Sequence, residues 1–212
     1  MQYKAIIFDL DGVLVFTDKY HYMAWKKLAD RLGIEFTEKD NDRLRGVSRE
    51  ESLDIILEKY NGAPIAPDKK KEYLIEKNEI YRDSLSEMNP DDVSPSVRHT
   101  LDGLRRLGYR LAIGSSSKNT EYILERTLLT DAFDAVADGT KITRSKPDPE
   151  VFLKAAELLG EKPGDCLVVE DADAGITAAH AAGMDAAAIG AATACGRGDY
   201  NLERIDDLLE IL

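Results

Sequence analysis

Tyr3-Lys4-Ala5-Ile6-Ile7-Phe8-Asp9-Leu10-Asp11-Gly12 is an apolar run that ends in two aspartates and a glycine. Its β-branched and aromatic residues predict a buried strand. Two carboxylates one residue apart at a strand exit are costly unless positive groups hold them. The carboxyl ends of strands in open α/β sheets are where ligands bind, and an all-oxygen set of aspartates suits Mg²⁺. A carboxylate can also attack phosphorus and become an aspartyl phosphate. An ordinary Asp-Gly turn would use the same residues.

Three further segments repeat the order of strand, polar cluster and helix. Tyr109–Gly114 runs into Ser115-Ser116-Ser117-Lys118-Asn119, Lys146-Pro147-Asp148-Pro149 precedes a helical pattern from Glu150, and Cys166–Val169 runs into Glu170-Asp171. Helical patterns fill the gaps, at Ser94–Leu107, Thr120–Leu129, Glu150–Leu159 and about Ala174–Ala182, and short strands are expected at Ala135–Ala137 and Ala186–Ile189. Strands alternating with helices imply right-handed crossovers and a parallel sheet covered on both faces.

The stretch between the first two strands is different. Asp18–Leu32 reads as a helix closed by Gly33, Ser48-Arg49-Glu50-Glu51 has the spacing of a capping box, and Asp68–Glu87 reads as another helix. The expectation is an α/β, doubly wound parallel core from residues 1–14 and 92–212, with an inserted α-helical cap at about 15–91.

A nucleophilic aspartate, a phosphate-binding hydroxyl, a lysine and a distal acidic pair, in that order, resemble the haloacid dehalogenase superfamily. Within it the set is similar to the β-phosphoglucomutase branch. The resemblance implies Asp9 as the phosphorylated nucleophile, Asp11 as general acid and base, and Ser115 and Lys146 as phosphoryl-orienting groups. It implies Mg²⁺ held by Asp9, Glu170, Asp171 and the backbone carbonyl of Asp11. It also carries His21, Trp25, Gly46, Val47, Arg49, Lys77 and the Ser115–Asn119 loop (Ser115, Ser116, Ser117, Lys118, Asn119) onto substrate binding, and Thr17 joins them because Thr17, His21 and Trp25 fall at i, i+4 and i+8 on one helix face. Phe16 departs from the pattern, since related enzymes usually have Asp just before the position of Thr17.

The residues alone also allow blander roles. Glu170-Asp171 could be an acidic turn capping the next helix, Lys146 a solvated loop charge, Trp25 a core residue, Lys77 part of a solvated face and His21 a cap. The activity expected from the resemblance interconverts β-glucose 1-phosphate and glucose 6-phosphate, with glucose 1,6-bisphosphate as activating intermediate. An Mg²⁺-dependent sugar-phosphate or phosphoglycolate-type phosphatase is the first alternative. A non-catalytic phospho-aspartate signalling module is a remote one.

Composition limits the partners. A net charge of −12 over 212 residues leaves no basic surplus to neutralise a nucleic acid. No apolar run is long enough to span a bilayer, and no basic leader precedes the first strand. The two cysteines, Cys166 and Cys195, make neither a disulfide framework nor a metal motif. The expectation is a cytoplasmic monomer acting on a small sugar phosphate, with no nucleic-acid or membrane partner.

Overall fold

The computed structural model describes residues 2–44 and 48–212. It divides into two compact units, Met1–Phe16 with Asn89–Leu212, and Thr17–Met88.

The first unit contains a six-stranded parallel sheet: β1 (Ala5–Phe8), β2 (Arg110–Gly114), β3 (Ala135–Ala137), β4 (Cys166–Glu170), β5 (Asp185–Ile189) and β6 (Tyr200–Leu202). The strands lie in the order β3-β2-β1-β4-β5-β6. Going outward from β1 the chain builds β2 and β3 on one side and β4 to β6 on the other. A crevice therefore opens between β1 and β4, where the strand order reverses. Phe8 pairs with both Ile113 and Val169. The residues that follow, Asp9 just past β1, Gly114 at the end of β2 and Glu170 at the end of β4, thus lie side by side at the carboxyl edge of the sheet.

Alternation along the strands assigns the two faces. Ala5, Ile7, Ala112, Val168, Ala186 and Ala188 form one buried cluster with Val151, Phe152, Ala155 and Leu159 from a helix at Glu150–Leu159, and with Ile176 and Ala179 from one at Asp173–Ala181. Ile6, Phe8, Leu111, Ile113, Leu167 and Val169 point the other way and are equally buried. A helix over Pro95–Arg106 packs on β2 and buries Val97, Leu101 and Leu104. Each fully buried Ile, Leu or Phe contributes roughly 1.5–3 kcal/mol relative to its exposed state.

Helices are the regular elements of the second unit among its described residues, at Asp18–Arg31, Glu38–Asp42, Arg49–Leu57 and Pro67–Leu85. Trp25, Leu28, Ala29, Phe36, Leu53, Ile56 and Tyr73 make its core. The Ser48 hydroxyl accepts the Glu51 N–H at 3.2 Å, which is the N-cap half of the predicted capping box. Among the described residues no helix is long and apolar enough to cross a membrane.

The helices at Glu38–Asp42 and Leu208–Ile211 are absent from the sequence reading, and two further elements differ from it. The pattern predicts a helix to Leu129, but it spans Thr120–Arg126, and Leu128 takes a φ of 55°. The Leu128 N–H donates to Glu125 O at 3.2 Å and the Leu129 N–H to Leu124 O at 2.9 Å. Those two bonds are a Schellman ending with leucine in the place glycine usually takes. β6 is the second difference, because Tyr200-Asn201-Leu202 is too short for its pattern to stand out.

Leu128 is 72% exposed and so loses little packing when replaced. The left-handed backbone costs a non-glycine residue about 1–2 kcal/mol, and glycine's extra chain entropy offsets part of that. Leu128→Gly is expected to raise stability by up to about 1 kcal/mol in chemical denaturation. Unchanged or lower stability would mean the left-handed ending is not strained.

A second measurement concerns Asp40. Lys59, at 2.7 Å, and the Thr37 N–H, at 2.8 Å, hold its carboxyl at about 2, below the usual 3.8. A depressed folded-state value gives stability that is complete above pH ~4 and disappears as pH falls through ~2. Asp40→Asn is expected to cost about 1 kcal/mol at pH 7, with the difference from the parent closing over that acid range. A difference independent of pH would remove the charge from the explanation.

Candidate active site

Asp9 leaves β1 with its N–H bonded to Val169 O at 2.9 Å, which ties the exit of β1 to that of β4. One carboxylate oxygen from each of Asp9, Glu170 and Asp171 lies within 4.8 Å of the others. Lys146 reaches the same point from the loop before the Glu150–Leu159 helix. Its Nζ donates to Asp9 Oδ1 at 2.5 Å and to Glu170 Oε2 at 2.7 Å, and the Phe152 ring lies 4.7 Å away. Asp9 and Glu170 are buried, and Asp171 is half-buried.

The backbone is shaped to this acid cluster. Gly12 has a φ of +86°, and a methyl group there would stand 2.0 Å from Asp171 Oδ2. The turn closes with the Gly12 N–H on Val15 O at 2.7 Å. A methyl on Gly175 would likewise stand 2.0 Å from the Glu170 side chain. Glu170 Oε1 also accepts the Ala172 N–H at 3.1 Å, which fixes the carboxylate over the start of the following helix.

Burial pushes the Glu170 carboxyl upward and Asp9 adds to the rise, against the pull of Lys146. Burial and then Asp9 raise Asp171 as well. Burial alone would lower the Lys146 ammonium, but the charges of Asp9 and Glu170 outweigh it and hold it above its ordinary value. One ammonium among three carboxylates leaves a deficit of positive charge. An all-oxygen donor set with that deficit fits a hard divalent cation.

Beside this cluster, Ser115 follows β2, buried, with its N–H on Ala137 O at 3.0 Å. Its Oγ accepts the Ser117 N–H at 3.1 Å, and Ser117 Oγ accepts the Asn119 N–H at 3.2 Å. The Ser116 Oγ is buried without a hydrogen-bond partner among the described residues. Lys118 is exposed, while Asn119 is buried at the start of the Thr120–Arg126 helix. Asp11 is half-buried beside Gly12.

The remaining predicted residues belong to the helical unit. Thr17 precedes the Asp18–Arg31 helix, which carries His21 and Trp25; Lys77 is on the Pro67–Leu85 helix, and Arg49 begins the Arg49–Leu57 helix. Gly46 and Val47 lie outside the described residues. Lys77, buried, donates to His21 Nδ1 at 2.9 Å and lies 4.6 Å from the Trp25 ring and 4.8 Å from the Tyr81 ring. Tyr81 stacks on His21 with centroids 4.1 Å apart. An ammonium has only donors, so Nδ1 must accept and the His21 proton sits on Nε2. Burial, followed by Lys77 and Arg49, holds His21 well below its usual range, in the neutral form this bond requires.

Sequence reading missed Phe152, Gly175 and Tyr81. Only Gly175, in the first turn of a helix four residues after Asp171, left a trace in the pattern. The two aromatic residues read as ordinary core.

The haloacid dehalogenase-like hydrolase pattern matches residues 3–183. A β-phosphoglucomutase of Bacillus subtilis (strain 168) is 40% identical over 99% of this chain and 93% of its own. The crystal structure of a β-phosphoglucomutase from Clostridium difficile superposes with a TM-score of 0.85 at 36% identity, covering 97% of this chain and 93% of that one. A phosphorylated carbohydrates phosphatase of Thermotoga maritima is 32% identical over 86% of this chain and 82% of its own. With the family pattern spanning residues 3–183 and a 40% identical relative covering 99% of the chain, this chain belongs to the haloacid dehalogenase-like hydrolase family and is an enzyme of phosphoryl transfer.

Proposed function

We propose that the enzyme interconverts β-glucose 1-phosphate and glucose 6-phosphate through an aspartyl phosphate on Asp9 and a bisphosphorylated sugar. The observation that carries this reading is the 40% identity to the Bacillus subtilis β-phosphoglucomutase over 99% of the chain. In the proposed cycle the phosphoryl group on Asp9 passes to the C6 hydroxyl of glucose 1-phosphate. The bisphosphate turns around, and its C1 phosphoryl group returns to Asp9. Asp11 takes the proton from the attacking hydroxyl and later gives it to the departing C1 oxygen. A group in that role typically contributes about 10²–10⁴ in rate.

Asp9, Glu170, Asp171 and the Asp11 carbonyl are the proposed Mg²⁺ ligands; bound there, the cation would draw charge from the phosphoryl oxygens. Lys146 and the Ser115 hydroxyl orient the transferring group. Arg49, Lys118 and Asn119 are assigned to the phosphate that stays on the sugar, with Thr17, His21, Trp25, Gly46, Val47, Lys77, Ser116 and Ser117 around the substrate. The pairing of Lys146 with Asp9 at 2.5 Å supports its role, because the ammonium already sits where negative charge would gather.

A phosphatase is the second reading, favoured by the 32% identity to the Thermotoga maritima enzyme. It uses the same groups and differs in accepting water in place of a sugar hydroxyl.

Calorimetric titration tests the ligand set. Asp171→Ala is expected to lose Mg²⁺ affinity at least tenfold, and Asp173→Ala, which alters a residue paired with Arg197, is expected to lose little. Equal affinity in Asp171→Ala and the parent would remove Asp171 from the set. The reaction itself is decided by supplying β-glucose 1-phosphate, Mg²⁺ and catalytic glucose 1,6-bisphosphate, then following glucose 6-phosphate against free phosphate. Isomerisation should predominate, vanish in Asp9→Asn, and fall in Arg49→Ala with less damage to Asp9 phosphorylation by a small donor. Free phosphate as the main product would assign the enzyme to the phosphatases.

A further inference from the structure

Lys146 sits in the middle of a loop that has no regular secondary structure, yet its Nζ is fixed on two carboxylates. The fastening is at the loop's two ends. Glu150, first residue of the Glu150–Leu159 helix, turns its carboxylate back over the loop. Its Oε1 accepts the Thr143 N–H at 2.9 Å, and its Oε2 accepts the Arg144 N–H at 2.7 Å and the Thr143 hydroxyl at 3.0 Å. Arg144 Nη1 is 3.1 Å from Asp148 Oδ2, while Asp148 Oδ1 accepts the Glu150 N–H at 3.0 Å. The Asp148 N–H closes the inner turn on Ser145 O at 3.1 Å.

These bonds make a closed ring around Lys146. Charge-assisted hydrogen bonds to a carboxylate are roughly twice as strong as neutral ones, and an anion at a helix N-terminus is further favoured by the helix dipole. Removing Glu150 would hand two exposed loop N–H groups to water and free the segment that carries Lys146. Phe152, on the same helix, supplies the ring beside Nζ, so the loop and this wall of the site are referenced to one rigid element.

We propose that Glu150 is a positioning residue for Lys146: its carboxylate sets the Thr143–Arg144 end of the loop so that Nζ meets Asp9 and Glu170. The catalytic consequence rests on the reading that Asp9 takes the phosphoryl group and Lys146 orients it. The geometric part does not.

Two readouts separate them. Reductive methylation of lysines followed by peptide mapping reports how well Lys146 is held. Lys77, 3% exposed in the helical unit, serves as the buried reference for an intact fold. Lys146 should be protected in the parent, modified several-fold faster in Glu150→Ala with Lys77 unchanged, and intermediate in Glu150→Gln, which keeps one acceptor oxygen. The second readout is the single-turnover rate of Asp9 phosphorylation by a small phosphoryl donor. Displacement of a positioned group by about 1 Å can cost ~10²-fold, so a fall of about ten- to a hundredfold is expected in Glu150→Ala. Glu150→Ala combined with Lys146→Ala should be no slower than Lys146→Ala alone, because the two changes remove one function. Lys146 as protected in both Glu150 variants as in the parent, or additive losses in the double variant, would overturn the proposal. If Glu150→Ala also exposes Lys77, Glu150→Gln decides. A parent that never labels Asp9 would sink the proposed reaction, while methylation would still decide the role of Glu150.

Discussion

Three carboxylates, those of Asp9, Glu170 and Asp171, are held within 4.8 Å of one another at the ends of two adjacent strands. Burial, with the neighbouring charge of Asp9, favours protonation of Glu170 and Asp171, the state least useful to a metal ligand. Lys146, bridging Asp9 and Glu170, opposes that tendency without cancelling it. Taking one partner away from a buried ion pair costs far more than the pair itself gains, because a charge is left without compensation. The lysine therefore offsets part of the charge of the buried acids as well as having a proposed part in the reaction. A bound cation would relieve the same repulsion.

That electrostatic demand explains features of the chain that packing alone would not. Gly12 and Gly175 sit against Asp171 and Glu170, so the backbone can close on the acid groups only where side chains are missing. The register of β1 between β2 and β4 brings Asp9 and Glu170 out together, and a shift of one residue would turn each carboxylate to the opposite face. Sheet register, two glycines and one buried ion pair are thus parts of a single constraint.

Much of this was legible from spacing. The run from Tyr3 to Gly12, and the polar clusters after the strands at Tyr109–Gly114 and Cys166–Val169, all fall at one end of a parallel sheet. Strand exits can be read locally because period-2 patterning stops where polar residues begin. Contacts made across the fold could not be read that way. Lys146 is 137 residues from Asp9 in the chain and only 2.5 Å from it in space. The left-handed Leu128 escaped for another reason: its apolar side chain continues the helical pattern while its exposed position releases it from the core. β6 was missed because three residues carry too little periodicity to register.

The core groups do not by themselves choose between an isomerase and a phosphatase, since relatives of both kinds match this chain over most of its length. The choice concerns what receives the phosphoryl group, and in the proposed reading that is governed by groups which recognise the sugar. The helical unit holds one polar group that is pre-set, and the proposed reading gives it to the sugar. With Lys77 donating to Nδ1, His21 presents its proton on Nε2, and the stacked Tyr81 ring restricts rotation of the imidazole. A donor with fixed tautomer and orientation loses little entropy when it meets a hydroxyl or phosphate oxygen, whereas a mobile one would lose more. Selectivity of a sugar over water then requires that such groups be satisfied by the sugar alone, because an analogue that leaves a buried donor unpaired is rejected by several kcal/mol.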